Sequence, residues 1–339
     1  MKRINVVDTT LRDGSHTVSH QFSTEEIKKI AKALDEAGLD MIEVGHGDGI
    51  SGSTINYGFG KHTDLEMVKA ASSVINNAKL AVLLIPGIGT VEDLEILKEA
   101  GATAVRVATH VTEADISAQH IRAAKEMGFF VVGFLMMAHM ADLDRILIEA
   151  KKMESYGADV VYCTDSAGAM LPHEVRAKIS TLKANLNIPV GFHSHNNLGS
   201  AIGNSLAAVE AGATYVDGSL LGLGAGAGNT ATEMLVAVLN KLDAVEHKCD
   251  LYKTMDAAGN VLKEIVDGHH VDIKVNHDPM MLGYSGVYSS FMLHAKRAAK
   301  RFNVDYRDVI VELGKRKAVG GQEDWIVEIA SKIAEAKNI

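Results

Sequence analysis

Two histidines separated by a single residue, His193 and His195, are well suited to bind a metal ion. They lie in a short apolar run that predicts a β-strand, and the two-residue period of a strand directs both imidazoles to the same face. Asp13, at the end of another predicted strand, can add a carboxylate. Two histidines and a carboxylate with open positions suit Mn²⁺, Mg²⁺, Co²⁺ or Fe²⁺ better than a closed zinc site. The alternative to a metal site is that one of these two histidines is a buried structural residue and the other faces solvent.

Two further polar residues, Arg12 and His16, lie within five residues of one another at the same strand end as Asp13. A permanently charged guanidinium beside a metal can stabilise an anion that develops during a reaction. A histidine titrates near neutrality and can serve as general acid or base. We therefore expect both to act in catalysis, although either alone would more often be a surface residue.

A glycine-rich segment, GLGAGAGN at 222–229, has the alternating glycines that let backbone N–H groups approach a phosphate. No βαβ unit with a ribose-binding acid follows it, so dinucleotide binding is the less favoured interpretation. We expect a loop that closes over the site. The residues alone assign no role to Glu43, His46 or Asn229.

The elements that must position these residues are indicated by a recurring junction, in which an amphipathic helix ends at glycine and a β-branched run follows. The glycines are Gly38, Gly101, Gly128, Gly157 and Gly212. They lie one or two units of roughly 30 residues apart, the size of a strand plus a helix. Adding the runs 4–10, 79–86 and 189–195 predicts eight nearly continuous apolar strands between residues 4 and 222. This predicts an α/β fold, a (β/α)8 TIM barrel, rather than an open doubly wound sheet.

The pattern becomes purely helical beyond about residue 260. Helices are predicted over 260–266, 289–302, 306–315 and 324–336, with a long loop around His277 to Gly286. We expect a TIM-barrel catalytic domain over 1–262 and a helical C-terminal extension over 263–339. This extension is a candidate partner-docking domain.

The composition limits the function classes. The chain has 339 residues, 47% of them hydrophobic and 23% charged, and a formal net charge of −9, which argues against nucleic acid or an anionic membrane as partner. Its two cysteines, Cys163 and Cys249, form no ligand motif and fit a reducing compartment. No signal segment is apparent, and the longest apolar run, 129–138, is too short to span a bilayer. We expect a cytoplasmic protein.

Three segments together, DTTLRDG at 8–14, HSH at 193–195 and the glycine-rich segment 222–229, resemble those of the metal-dependent barrel lyases and synthases. That group includes 2-isopropylmalate synthase and hydroxymethylglutaryl-CoA lyase. The sequence is most similar to the 4-hydroxy-2-oxovalerate aldolase branch, over essentially the whole chain. The synthases usually carry Glu-Gln after the Asp-Gly, whereas Ser15 and His16 stand here, which favours the aldolases.

The resemblance implies a mechanism and its residues. Asp13, His193 and His195 would bind Mn²⁺, with Co²⁺ or Mg²⁺ as alternatives, and hold the 2-oxo acid. His16 would be the catalytic base for 4-hydroxy-2-oxopentanoate, and Arg12 would stabilise the pyruvate enolate as acetaldehyde leaves. Substrate contacts would come from Arg12, Asp13 and His193, and from two further residues, Ser166 and Tyr284.

The resemblance also implies a setting and a partner. The reaction would belong to the meta-cleavage catabolism of aromatic compounds. An acylating acetaldehyde dehydrogenase would receive the aldehyde, with the C-terminal helices at the interface, although a homodimer would explain amphipathic helices equally well. Two other functions stay open: an acyl-CoA/2-oxo acid condensing synthase of the isopropylmalate synthase type, and a nucleotide-binding or non-catalytic barrel.

Overall fold

The computed structural model describes residues 1–271 and 277–337, and within them strands and helices alternate. The strands are β1 (Lys2–Arg3), β2 (Asn5–Leu11), β3 (Met41–Val44), β4 (Lys79–Leu84), β5 (Ala104–His110), β6 (Phe130–Met136), β7 (Val160–Asp165), β8 (Val190–Ser194), β9 (Tyr215–Gly218) and β10 (Val245–Glu246). The helices are α1 (Thr24–Glu36), α2 (Asp64–Ser72), α3 (Val91–Glu99), α4 (Ala118–Glu126), α5 (Leu143–Tyr156), α6 (Pro172–Asn185), α7 (Ala201–Ala211), α8 (Thr232–Leu239), α9 (Leu251–Asp256), α10 (Lys263–Gly268), α11 (His277–Ser285), α12 (Phe291–Phe302), α13 (Tyr306–Lys315) and α14 (Asp324–Lys337).

Eight parallel strands, β2 to β9, pair in chain order and close into a barrel. The closing pair is β9 with β2, in register from Asn5 opposite Tyr215 to Asp8 opposite Gly218. This confirms the predicted (β/α)8 barrel with helices after it. Because closure makes the first and last strands neighbours, the ends of β2, β8 and β9 meet at one side of the barrel mouth.

Local sequence motifs start and end several of the helices. Ser23 accepts a hydrogen bond from the Glu26 backbone N–H while the Glu26 carboxylate accepts one from the Ser23 N–H, a capping box that starts α1. The starts of α2 and α3 have the same arrangement. The five predicted junction glycines all have positive φ, from +78° to +120°, which only glycine adopts readily.

Most side chains of the strands are buried, and successive ones face opposite sides of the barrel wall. On β5, Val105 and Val107 pack in the main core between sheet and helices, while Ala108 packs in a second layer with Phe134 and Tyr162. Arg106, between the two valines, is 0% exposed. The barrel interior therefore contains charge as well as apolar side chains.

The helices α11 to α14 form a second apolar core of their own, centred on residues such as Phe291, Val309 and Ile329. Three of the predicted C-terminal helices are present with ends shifted by at most two residues. The loop expected around His277 to Gly286 was wrong, because residues 277–285 form α11. Leu282 on that helix is 2% exposed within the second core, and this burial stabilises helix where the glycines and proline suggested a loop.

The expected extension 263–339 includes residues 272–276 and 338–339, which lie outside the described residues.

Cys163 and Cys249 are free and buried, and burial raises the pKa of each thiol to about 12. In the part of the chain that the structure describes, no helix has the length and apolar character needed to cross a bilayer.

Candidate active site

Asp13, His193 and His195 meet at the barrel mouth, where their ligand atoms all lie within 4.8 Å of one another. Asp13 begins a 3-10 turn directly after β2, His193 lies on β8, and His195 follows that strand. Asp13 Oδ2 is 3.3 Å from His193 Nε2 and 3.5 Å from His195 Nε2. The three side chains predicted as metal ligands are thus brought together, and all three are buried.

The other nitrogen of each imidazole is held by an oxygen that can only accept. His193 Nδ1 lies 2.8 Å from Asp217 Oδ2, and His195 Nδ1 lies 3.2 Å from the backbone carbonyl of Asp165. Each Nδ1 can donate to its oxygen, so each Nε2 is presented to the Asp13 carboxylate. Two imidazole nitrogens and a carboxylate that converge on one buried point are donors that a divalent metal binds, so these residues fit such an ion.

Arg12 is held beside this group by two carboxylates. Its Nε donates to Glu43 Oε2 at 2.8 Å, and its Nη1 lies 3.1 Å from Asp13 Oδ2. Burial alone would raise the pKa of Asp13, but the charge of Arg12 and the contacts with the two histidines hold it well below its usual value. Asp13 is therefore ionised across the physiological range, as a metal ligand must be.

A network of buried charges supports the site from inside the barrel. Arg106 donates to Glu43 at 3.1 Å and to Asp217 at 2.5 Å, and its guanidinium lies 4.4 Å from the ring centroid of Phe134. The same Asp217 oxygen holds His193. Burial would lower the pKa of His193, but Asp13 and Asp217 raise it above its ordinary value.

Sequence reasoning missed the roles of Glu43, Arg106 and Asp217, although a signal was present. Each is a lone charge within an apolar strand of a predicted barrel, and a charge at such a position must be paired.

The cavity above these residues has a volume of about 350 Å³. Its polar lining includes His16 and Ser166 with Arg12 and the three candidate ligands. Its apolar lining includes Leu83, Ile85, Phe134 and Met136, and the Phe134 ring packs edge-on against His193 with centroids 5.6 Å apart. The glycine-rich segment also contributes: Ala225 lines the cavity, and its backbone N–H donates to Asp13 Oδ1 at 3.1 Å.

Of the predicted site residues, only Tyr284 lies away from the cavity. Its side chain projects from α11 and is 72% exposed. Gly286 then turns the chain with a φ of +66°, and Tyr288 reaches the cavity wall instead. Burial raises the pKa of Tyr288, so its hydroxyl is protonated and can donate a hydrogen bond. Ser166 is in place, and its Oγ accepts from the Met137 N–H at 2.9 Å.

Comparison with known proteins gives two family matches. Residues 3–261 match the HMGL-like family, and residues 273–335 match the DmpG-like communication domain. Among solved structures, an N-terminal domain of a putative aldolase from Bacteroides vulgatus is 24% identical, covers 88% of this chain and 98% of its own, and has a TM-score of 0.73. A carboxyl transferase domain of Rhizobium etli pyruvate carboxylase is 17% identical over 100% of this chain and 62% of its own, with a TM-score of 0.82. At these identities the structures support the barrel fold alone.

Curated relatives are much closer in sequence. A 4-hydroxy-2-oxovalerate aldolase of Carboxydothermus hydrogenoformans is 57% identical over 335 residues, 99% of this chain and 98% of its own. A protein of the same name from Geobacillus thermodenitrificans is 55% identical over 98% of this chain and 96% of its own. Both alignments extend over the barrel and the C-terminal helices. The chain is therefore an enzyme of the lyase class and belongs to the 4-hydroxy-2-oxovalerate aldolase family.

Proposed function

We propose that this chain is a divalent-metal-dependent aldolase that cleaves 4-hydroxy-2-oxopentanoate to pyruvate and acetaldehyde. The observation that carries the metal dependence is the convergence of two imidazole Nε2 atoms and the Asp13 carboxylate on one buried point. A divalent cation bound there would polarise the 2-oxo group of the substrate as a Lewis acid, and Mn²⁺ is the favoured ion. Among the described residues that line the cavity, none is a lysine that could form a Schiff base.

The residues around the cavity have three further roles: proton transfer, stabilisation of the enolate and exclusion of water. His16 takes the proton from the C4 hydroxyl, after which the C3–C4 bond breaks and its electron pair passes into the enolate of pyruvate. Arg12, fixed by Glu43, stabilises the negative charge on that enolate. The apolar lining around Leu83 and Phe134 excludes water and accepts the methyl end of the aldehyde.

Two hydroxyl groups are assigned to substrate binding. Ser166 lines the cavity, where its hydroxyl group would contact the bound acid. We assign the tyrosine contact to Tyr288 rather than Tyr284, because Tyr288 lines the cavity while Tyr284 is exposed.

The C-terminal helices are proposed to bind a partner. The match of residues 273–335 to the DmpG-like communication domain supports this role. An acylating acetaldehyde dehydrogenase would consume the volatile product, in the meta-cleavage catabolism of aromatic compounds in the cytoplasm. A homodimer through the same helices is the alternative, and size measurement with and without the dehydrogenase distinguishes the two.

The activity is tested with the full chain stripped of metal by a chelator. Addition of Mn²⁺ should restore pyruvate release from 4-hydroxy-2-oxopentanoate, followed through NADH oxidation by lactate dehydrogenase. Release that is equal with and without metal would contradict the metal dependence. Free CoA appearing with acetyl-CoA and a 2-oxo acid would instead support a condensing synthase.

A further inference from the structure

A second group of metal-binding side chains lies at the cavity mouth, apart from the candidate ligands of the active site. His16, His20 and Asp48 each offer one ligand atom, and these three atoms all lie within 4.8 Å of one another. All three residues are half-buried, in contrast to the fully buried group around Asp13. His16 and Asp48 also line the cavity, so the second group opens onto the same space as the first.

The chain turns sharply to bring the two histidines together. Ser19 and His20 both have left-handed backbone conformations, with φ of 52° and 62°, and the His20 N–H returns to the Ser15 carbonyl at 2.7 Å. The His20 ring is held by Ser15 Oγ, 3.0 Å from its Nδ1. Two consecutive non-glycine residues in this conformation are uncommon, which points to a locally fixed turn rather than a free loop.

The missing side chain of Gly47 provides the space for both rings. A Cβ at this position would lie 2.5 Å from His16 Nε2 and 2.6 Å from His20 Cε1. The two imidazoles therefore pack over a bare α-carbon, and any other residue at position 47 would push them apart.

A third histidine supports the group from below. His46 is stacked under His20 with ring centroids 3.8 Å apart. Its Nε2 lies 3.1 Å from the Gly58 carbonyl, and its Nδ1 accepts the Asp48 N–H at 3.2 Å. These two contacts fix the His46 ring, which in turn positions His20 and Asp48.

We propose that His16, His20 and Asp48 bind a second transition-metal ion, Zn²⁺, and that this ion inhibits the enzyme by occupying His16. Two imidazoles and one carboxylate with an open position match the donors that Zn²⁺ takes at about 2.0 to 2.2 Å. Imidazole donors bind Zn²⁺ more tightly than Mn²⁺, so Zn²⁺ is the ion to test at this second group. The inhibition rests on the proposed role of His16 as base, whereas the binding of Zn²⁺ does not.

Direct binding of Zn²⁺ to the metal-stripped full chain tests the site without any assay of activity. Equilibrium dialysis should give two tightly bound ions per chain for the wild type and for the control His173→Gln, which changes an exposed histidine on α6 outside the group. His20→Gln and Asp48→Asn should each retain one, with the second weakened at least about tenfold. One ion in the wild type, or two of unchanged affinity in both variants, would overturn the proposal.

Inhibition of the Mn²⁺-loaded enzyme by Zn²⁺ tests the consequence. The Zn²⁺ concentration for half inhibition should rise at least about tenfold in His20→Gln and stay unchanged in His173→Gln. An unchanged value in His20→Gln means that Zn²⁺ acts by displacing Mn²⁺ from Asp13, which refutes the inhibitory role. If the chain cleaves no 4-hydroxy-2-oxo acid, the proposed function fails while the dialysis result still decides the second site.

Discussion

Asp217→Asn probes how far the barrel interior controls the metal site. Asp217 touches neither the cavity nor the proposed metal, but one of its oxygens holds both His193 Nδ1 at 2.8 Å and Arg106 at 2.5 Å. Asparagine can keep that oxygen in place and so preserve the ring orientation. It removes the negative charge that makes Nε2 of His193 a stronger electron donor.

The expected loss follows from that charge. Removing the partner of a metal-binding histidine typically lowers metal affinity 10- to 100-fold, which corresponds to about 1.4 to 2.7 kcal/mol. We expect the upper half of this range, because both groups are fully buried and poorly screened. The turnover number at saturating Mn²⁺ should change less than the affinity, since Asp217 does not line the cavity.

The assay is Mn²⁺ binding followed by electron paramagnetic resonance, in parallel with pyruvate release at increasing Mn²⁺. Asp8→Asn is the matched control, because Asp8 is an equally buried carboxylate that bonds to Thr232 and Thr10 rather than to a histidine. A Mn²⁺ affinity of Asp217→Asn within twofold of the wild type would refute the reasoning. An equal loss in Asp8→Asn would show a general effect of buried charge instead.

Three further predictions concern the roles assigned above. His16→Ala should lower turnover by about 10²- to 10⁴-fold with Mn²⁺ binding retained, whereas His195→Ala should lose Mn²⁺ binding; equal loss of metal in both would contradict the base assignment. Tyr288→Phe should raise the KM for the 2-oxo acid several-fold, by about 0.5 to 1.5 kcal/mol for one hydrogen bond, and Tyr284→Phe should leave it unchanged; the reverse pattern in steady-state kinetics would return the contact to Tyr284. Burial raises the pKa of Asp8 to about 6, so the folded state binds this proton more tightly than the unfolded chain does. The stabilisation from Asp8 is therefore complete below about pH 4 and is lost as the pH rises to about 6, and Asp8→Asn should gain up to about 3 kcal/mol over the wild type across this range in urea unfolding. Parallel pH profiles for the two proteins would contradict that explanation.

The barrel and the candidate ligands could be predicted from the sequence because topology determines them. Eight apolar strands at a regular spacing along the chain pair in chain order and form a closed barrel. Closure places the ends of β2 and β8 close together, with β9 between them. Asp13 and His193 therefore had to be close once each was assigned to a strand end. Side-chain periodicity on β8 then put His193 and His195 on one face.

The arrangement of the loops could not be predicted in the same way. His20 reaches His16 only through two left-handed residues and through the bare α-carbon of Gly47, which belongs to a different loop. Neither the spacing of the two histidines nor their type indicates that turn. A cluster formed by residues from separate loops depends on tertiary packing that local propensity does not encode.

The choice between Tyr284 and Tyr288 depends on packing of the C-terminal helices. Val287 and Phe291, on either side of Tyr288, are both 0% exposed within the second core. The second core therefore fixes where Tyr288 lies, and through it one wall of the cavity. The barrel strands supply the candidate ligands and Arg12, while the helical extension supplies part of the cavity surface. A displacement of α12 would therefore move Tyr288 and change the shape of the cavity beside the candidate ligands.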